Sequence, residues 1–399
     1  MKCDVLVVGA GPAGSSAARA AALAGADVIL IEKMAQPGKI ACGEAITSMF
    51  FPLLPFNIPK EQLKWQLDGM VFYTEDMYIE RTGRLWKTYS IERKNFDVWL
   101  ANEAVRAGAK LLTNTSLIGL DHENFVVERA IVETKNGQIE IEPKKIIAAD
   151  GFESKLLKLL GLYKPKRGDI AEVYSWEMSD VKLAKPNIEQ IYLGDYCDGG
   201  YAYIFPKSKN SANVGLGSIK GLNVKKRFDE FLELPIVRKQ LNGCKKIIER
   251  SGKAPVRPFL DKVLYGNVLI VGDAACQNFK PFVEGIIPAI ICGDLAGEAA
   301  AKNDSSVYSE YVRKKLGFAF EESNEIMKLL YEIFNMKDRK KYLLLLALAT
   351  SMLSHEKIQQ MFGWKFSDIE KTIREKSFFW KSVQENIIYA IIKMKGLMV

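Results

Sequence analysis

The apolar positions of the chain follow two different periods, and the switch between them marks its first unit. Cys3 to Val8 is a short unbroken apolar run that ends at glycine, the pattern of a parallel strand covered on both faces. Pro12 to Leu23 is alanine-rich and reads as a helix, and Asp27 to Ile31 reads as a second strand ending at Glu32. Glu92 to Ala107 has helical spacing, with Phe96, Trp99, Leu100 and Ala104 on one side, and Ala109 to Leu112 resumes as a strand. Ile118 to Val132 and Gln138 to Ile147 alternate and predict a hairpin that turns at Asn136-Gly137. Lys145 to Ala149 reads as a strand that stops at Asp150-Gly151. Residues 165–265 look sheet-rich, with Tyr201 to Pro206 and Ala212 to Gly217 as the clearest strands. Val268 to Val271 is again a short buried strand, entering Gly272-Asp273-Ala274-Ala275, and from Pro288 onward the pattern is helical with a lysine- and leucine-rich tail.

Strands of the unbroken apolar kind thus occur at the start, near residue 147 and near residue 270. That spacing predicts an α/β fold whose nucleotide-binding domain is assembled from separated pieces, 1–60, 85–165 and 265–305. A sheet domain from 61–84 and 166–264 is inserted between them, and 306–399 forms a helical C-terminal region. The length of 399 residues suits two or three domains.

Composition narrows the chemistry. Apolar residues make up 48% and charged residues 26%, the balance of a soluble globular protein. The net charge of +8 is spread along the chain with no basic tail, so it predicts a solvated lysine-rich surface and no nucleic-acid partner. Cys3, Cys42, Cys197, Cys244, Cys276 and Cys292 include no C-x-x-C pair, and His122 and His355 are the only histidines. That set offers no zinc or iron–sulfur spacing and no hydrolase triad, and the scattered cysteines suit a reducing compartment. The apolar start after Lys2 reads as a strand and not as a signal peptide, because glycines and a helix follow it. The uncharged run Tyr342 to Ser354 is too short to cross a bilayer as a helix.

Gly9-Ala10-Gly11-Pro12-Ala13-Gly14 has the spacing G-x-G-x-x-G between the first strand and the first helix. In a dinucleotide site the first glycine makes the tight turn, the second leaves room for a pyrophosphate and the third lets helix and strand touch. The helix start offers backbone N–H groups and a positive dipole end to the phosphates. Glu32, followed by Lys33, ends the next strand, where a carboxylate can accept both ribose hydroxyls of an adenosine.

Three later motifs give the dinucleotide a more definite character. Gly272-Asp273 resembles the second FAD fingerprint of glutathione-reductase-like flavoproteins, whose aspartate meets the ribityl chain. Asp150-Gly151 resembles the middle fingerprint of their hydroxylase-like branch, and Arg93 resembles an arginine these proteins place near the flavin. The resemblance implies a glutathione-reductase-like, hydroxylase-type FAD-binding domain holding noncovalent FAD.

Cys42-Gly43-Glu44 and the strand Asp198-Gly199-Gly200-Tyr201-Ala202-Tyr203-Ile204-Phe205-Pro206 then make residues 1–300 resemble the geranylgeranyl reductase family. That family has a P-x-x-Y-x-W-x-F-P strand and reduces isolated double bonds in isoprenoid chains. This chain has Asp198 for the first proline and Tyr203 for the tryptophan. Pro281-Phe282-Val283-Glu284-Gly285-Ile286 stands where archaeal members carry a glycine triplet, a form closer to the chlorophyll-pathway branch. The resemblance implies hydride transfer from flavin N5 to a prenyl lipid, with Cys42, Gly43, Gly285 and Ile286 near the flavin and Cys42, Tyr201, Tyr203 and Phe205 at the reacting alkene. Core packing is the other reading of the aromatic strand and of Cys42. The electron donor stays open among NAD(P)H, a ferredoxin and a deazaflavin, since no second glycine fingerprint occurs. A flavin monooxygenase or halogenase shares the first and last fingerprints, and a flavoprotein feeding a quinone is the third alternative. The expected location is the cytoplasm, with a peripheral contact at the inner face of the cell membrane left open.

Overall fold

The computed structural model describes residues 1–337 except 39, 75, 76, 84, 85, 167, 261 and 303, together with the backbone of Ile391–Met394. The first sheet runs in the order Leu264–Tyr265, Val268–Ile270, Gly137–Ala148, Lys2–Val8, Val28–Glu32, Lys110–Thr113. All neighbours in it are parallel except the first pair. Val5, Leu6, Val7, Leu30, Ile146, Ile147 and Leu269 are wholly buried, because helices lie over a sheet of this kind and leave no polar face.

Helix Pro12–Leu23 touches both Arg93–Arg106 and Ile286–Ala301. Its contact with the last of these is backbone to backbone. A Cβ at Gly293 would stand 2.2 Å from Ala13 O, and one at Gly297 would stand 2.1 Å from Ala17 O. Ser16 Oγ donates to Ile290 O at 2.7 Å across the same contact.

The predicted hairpin is a three-stranded antiparallel meander, Ser116–Glu123, Val126–Thr134 and Gly137–Ala148. The expected single arm from 118 to 132 is broken at Asn124 and Phe125, both at positive φ. Asparagine tolerates that conformation, but no glycine marks the turn.

The second sheet has the order Lys245–Pro255, Ile170–Ser179, Ser211–Ser218, Gly200–Pro206, Ile188–Tyr192, Gly69–Tyr73, Met77–Thr82. One face packs Tyr174, Met178, Ile204, Val214 and Leu216 against Phe228, Phe231 and Val237 of helices Val224–Leu232 and Pro235–Leu241. The other face carries Met70, Phe72, Ile191, Leu193 and Tyr203, partly covered by Met327, Leu330 and Phe334 of helix Val307–Phe334. A small sheet of Ala45–Thr47, Thr88–Ser90 and Trp65–Leu67 lies beside the two larger ones.

Helical spacing after Pro288 holds through Ile286–Ala301 and Val307–Phe334, but Ile391–Met394, with its β-branched pair, is a strand against Met77–Thr82. The run Tyr342 to Ser354 lies outside the described residues. Among the described residues no helix is long and apolar enough to cross a membrane.

Candidate active site

Strand register brings the sequence motifs together. Val8 stands opposite Ile31 and Ala148, and Ala148 opposite Ile270. Four parallel strands therefore end level, and Gly9, Glu32, Asp150 and Asp273 leave the same edge, where open α/β sheets bind ligands. Gly9 has φ +100°, and a Cβ there would stand 2.5 Å from Ala149 O. A Cβ at Gly14 would stand 1.8 Å from Gly9 O, so this glycine serves the helix–strand contact and not the cavity. A Cβ at Gly11 meets nothing within 4 Å, so the helix start faces open space large enough for a phosphate group. The Glu32 carboxylate is aimed from both sides. Ala10 N donates to Oε2 at 3.0 Å and Met34 N to Oε1 at 2.9 Å, leaving each oxygen a further lone pair.

Asp150 Oδ2 accepts from Leu156 N at 3.1 Å, while the buried Oδ1 has no partner among the described residues. Burial pushes the Asp150 and Asp273 carboxyls up. Asp273 caps no helix and has Asn278 Nδ2 at 3.5 Å. An orphaned acceptor, an open phosphate cradle and a poised ribose carboxylate fit a dinucleotide with a polyhydroxy chain. The buried Arg93 makes two 2.7 Å bonds to Asp97, one turn along its helix. Burial works against its charge, but Asp97 and Cys42 outweigh it and the guanidinium stays protonated.

Cys42, Gly43 and Glu44 form a turn with Glu44 at φ 57°. The Glu44 carboxylate accepts from Lys207 Nζ at 2.6 Å, Asn213 Nδ2 at 3.0 Å and Arg93 N at 3.0 Å. Burial pushes its pKa up, yet these partners, Lys207 foremost, hold it below the ordinary range. Lys207 and Arg250 both reach Glu177 as well, at 3.1 and 2.8 Å. Glu44 thus ties the turn to the second sheet, a role the sequence did not reveal. Cys42 Sγ lies 3.3 Å from Glu44 N.

A single cavity of about 1330 Å³ runs from the strand ends to the second sheet. Gly9, Gly11, Pro12, Ala13, Glu32, Lys33, Cys42, Gly43, Arg93, Asp150, Gly151, Asp273, Gly285 and Ile286 line it, and so do Tyr201, Tyr203 and Phe205. Of the site residues expected from the sequence only Gly14 stands back. The three aromatic residues form one stripe, with ring centroids 6.1 Å apart for Tyr201 and Tyr203 and 4.5 Å, stacked, for Tyr203 and Phe205. Tyr201 Oη donates to Phe282 O at 3.0 Å. Met70, Phe72, Trp86, Ile191, Leu193 and Phe282 make the rest of this end apolar.

The sequence reading missed polar groups in the wall, Lys280 and Glu189 among them. Lys280 donates to Cys276 O and Asn278 O, both at 3.2 Å, and burial lowers its pKa to about 8. Glu189 is 1% exposed on strand Ile188–Tyr192. Glu284, next to Gly285, is also in the cavity wall, where its Oε1 accepts from Thr47 N at 2.9 Å. Burial pushes its carboxyl up to about 7.

Comparison with known proteins gives this geometry a family. Residues 2–214 match the FAD binding domain family. The digeranylgeranylglycerophospholipid reductase of Methanocaldococcus jannaschii is 37% identical over 322 residues, covering 78% of this chain and 81% of the relative. The solved structure of a geranylgeranyl bacteriochlorophyll reductase-like protein from Thermoplasma acidophilum superposes with a TM-score of 0.80 at 27% identity, covering 94% of this chain and 99% of that one. A myxobacterial chondrochloren halogenase has the same fold at 15% identity and a TM-score of 0.68, covering 95% of this chain and 91% of its own. With an FAD binding domain over more than half its length and relatives of this identity over three quarters of it, the chain belongs to the digeranylgeranylglycerophospholipid reductase family of FAD-binding proteins.

Proposed function

We propose that this protein is an FAD-dependent oxidoreductase that saturates isolated carbon–carbon double bonds in the prenyl chains of membrane-lipid precursors. The observation that carries the reading is the continuity of one cavity. Its polar end offers Gly11, Glu32, Asp150 and Asp273, and its other end is walled by Tyr201, Tyr203, Phe205 and aliphatic side chains. FAD, when bound and reduced, supplies hydride chemistry.

The protein's own part is to hold, orient and desolvate. The Gly11 cradle and the start of helix Pro12–Leu23 receive the pyrophosphate, and Glu32 receives the adenosine ribose. Asp150 and Asp273 face the polyhydroxy chain, and Gly285 and Ile286 border the ring. Cys42 and Gly43, also in the cavity wall, would lie near the flavin. An alkene without a conjugated carbonyl develops cationic character on its more substituted carbon as it is protonated. Aromatic faces stabilise such charge by about 1–2 kcal/mol each where water is kept out. The stripe of Tyr201, Tyr203 and Phe205 suits that task.

The substrate is a prenyl lipid, and the reducing equivalents come from an external donor of the nicotinamide, ferredoxin or deazaflavin class. A lipid substrate calls for a peripheral, reversible membrane contact. The halogenase alternative rests on shared fold alone. The decisive experiment is anaerobic. The flavin is photoreduced, prenyl lipids of several headgroups are added, and the products are identified by mass spectrometry. A gain of two hydrogens per bond is the expected result; the absence of any saturated product with every prenyl lipid would sink the reading.

A further inference from the structure

One carboxyl group stands where the sheet demands an apolar side chain. In the antiparallel pair of Ile188–Tyr192 with Gly200–Pro206, Ile191 is opposite Tyr203. In the parallel pair with Gly69–Tyr73, Glu189 is opposite Met70 and Ile191 opposite Phe72. Side chains two apart on a strand share a face, so Glu189 joins Ile191, Leu193, Met70, Phe72, Tyr201, Tyr203 and Phe205 on the wall of the cavity. The carboxyl is almost fully buried, and its Oε2 has no hydrogen-bond partner among the described residues. A purely structural role would give a buried carboxylate a cation or several N–H donors, as Glu44 has. Glu189 has neither.

We propose that Glu189 is the acid that protonates the prenyl double bond. This rests on the reading of the site as a prenyl-chain reductase and supplies the residue that reading lacks. The alkene takes the carboxyl proton on its less substituted carbon, where a C–H bond forms as the O–H bond of Glu189 breaks. The more substituted carbon is left electron-poor beside the aromatic stripe. It takes up a hydride with both electrons, supplied by the reduced flavin, which is left oxidised. Glu189 is left as a carboxylate and recovers its proton from water once the saturated chain has gone.

The surroundings keep the acid loaded at neutral pH. Burial pushes Glu189 up to about 8; the Thr88 hydroxyl opposes this and the charge of Glu284 adds to it. Among the described residues the ionisable groups coupled to it are Glu284 and Tyr201. An acid with a pKa near the working pH has the right driving force for general acid catalysis.

The test uses the full-length protein with FAD, photoreduced without oxygen and mixed with a digeranylgeranyl phospholipid in detergent. Glu189→Gln should keep FAD content and photoreduction and slow flavin reoxidation by the lipid by roughly a hundredfold or more. In the wild type without substrate, infrared spectroscopy should show a carboxylic C=O band that is present at pH 6, fades near pH 8 and is missing from the variant. Wild-type reoxidation by Glu189→Gln, or a Glu189 already ionised at pH 6, overturns the proposal. If the variant loses FAD, the wild-type pH profile decides. Its reoxidation rate must fall above about pH 8 together with the band, and a flat profile overturns the proposal. A wild type inert to every prenyl lipid fails the substrate reading itself, whereas an active wild type with an idle Glu189 fails this inference alone.

Discussion

Gly43 lies flat against the ring of Phe205, and a Cβ at residue 43 would stand 2.9 Å from two of its ring carbons. The Cys-Gly-Glu turn and the aromatic strand, distant in sequence, therefore meet at a contact that a Cβ could enter only by moving the ring. Gly43→Ala should tilt the Phe205 ring off its 4.5 Å stack on Tyr203. The expected outcome is normal FAD content and about a tenfold slower reoxidation of reduced flavin by a prenyl lipid, on the order of 1 kcal/mol. Stopped-flow absorbance checks this, and an unchanged rate would show that the ring's position is not used.

The aromatic stripe can be dissected residue by residue. Leucine at 201, 203 or 205 keeps bulk and removes a π face. At least one such variant should reoxidise ten to a hundred times more slowly, on the order of 1–3 kcal/mol, with reduction by dithionite unaffected. Tyr201→Phe separates ring from hydroxyl. It loses the bond to Phe282 O, costing about 1 kcal/mol in a denaturation curve, and should leave the rate intact. Wild-type rates in all three leucine variants would reduce the stripe to core packing.

Gly285 opens helix Ile286–Ala301 at φ −110°, a conformation other residues adopt freely, so its constraint is space. A Cβ there stands 3.2 Å from Asp273 Oδ1 and 3.5 Å from Asn278 Cβ. The branched side chain of Gly285→Val should weaken FAD binding at least tenfold, read by flavin fluorescence titration, with little change in unfolding midpoint of the flavin-free protein. Equal affinity would place the flavin away from this turn.

Stability should depend on pH through the same wall. Glu189 and Glu284 have folded pKa values raised to about 8 and about 7 from an ordinary 4.5. The folded chain therefore holds protons that the unfolded chain releases, and stability falls as pH rises from about 4.5 toward 8. Glu189→Gln should flatten that fall by a few kcal/mol, measured as urea unfolding at pH 5 and pH 8.5. Glu44 has the opposite sign. Its depressed pKa gives stability above the ordinary carboxylate range that is lost on acidification. A variant whose pH slope matches the wild type would mean that Glu189 is ionised in the folded state.

The legible parts of the site are those where backbone geometry dictates residue type over a few positions. Gly9 at positive φ, Gly14 pressed on Gly9 O and Glu32 at a strand end could be read from neighbouring residues alone. Asp150 and Asp273 each follow an apolar run, but it is their resemblance to known FAD fingerprints that marks them out. Glu189 could not, since every residue of Ile188–Tyr192 is buried and no alternation tells one face from the other. Its face acquires meaning only when Ile191 pairs with Tyr203 and Phe72. Glu44 looked like part of a cofactor motif, but its partners Lys207, just past one strand, and Asn213, on the next, lie some 160 residues away, beyond any local pattern.

The way the first sheet is threaded has a consequence for biosynthesis. The strand Lys2–Val8 waits for residues 137–148 to gain its second neighbour, and helix Pro12–Leu23 waits for Gly293 and Gly297 to gain its closest partner. The phosphate cradle is written in the first 32 residues, yet it becomes rigid only after about 300 have left the ribosome. Long-range closure of this kind makes folding slow. The seven strands from 69 to 255 are complete earlier, so the nascent chain carries the greasy wall of its cavity before it has the other side. Flavin capture, which favours only the closed form, is then the step that pulls assembly to completion. Cells short of flavin should complete this fold more slowly and lose more of the nascent protein to aggregation.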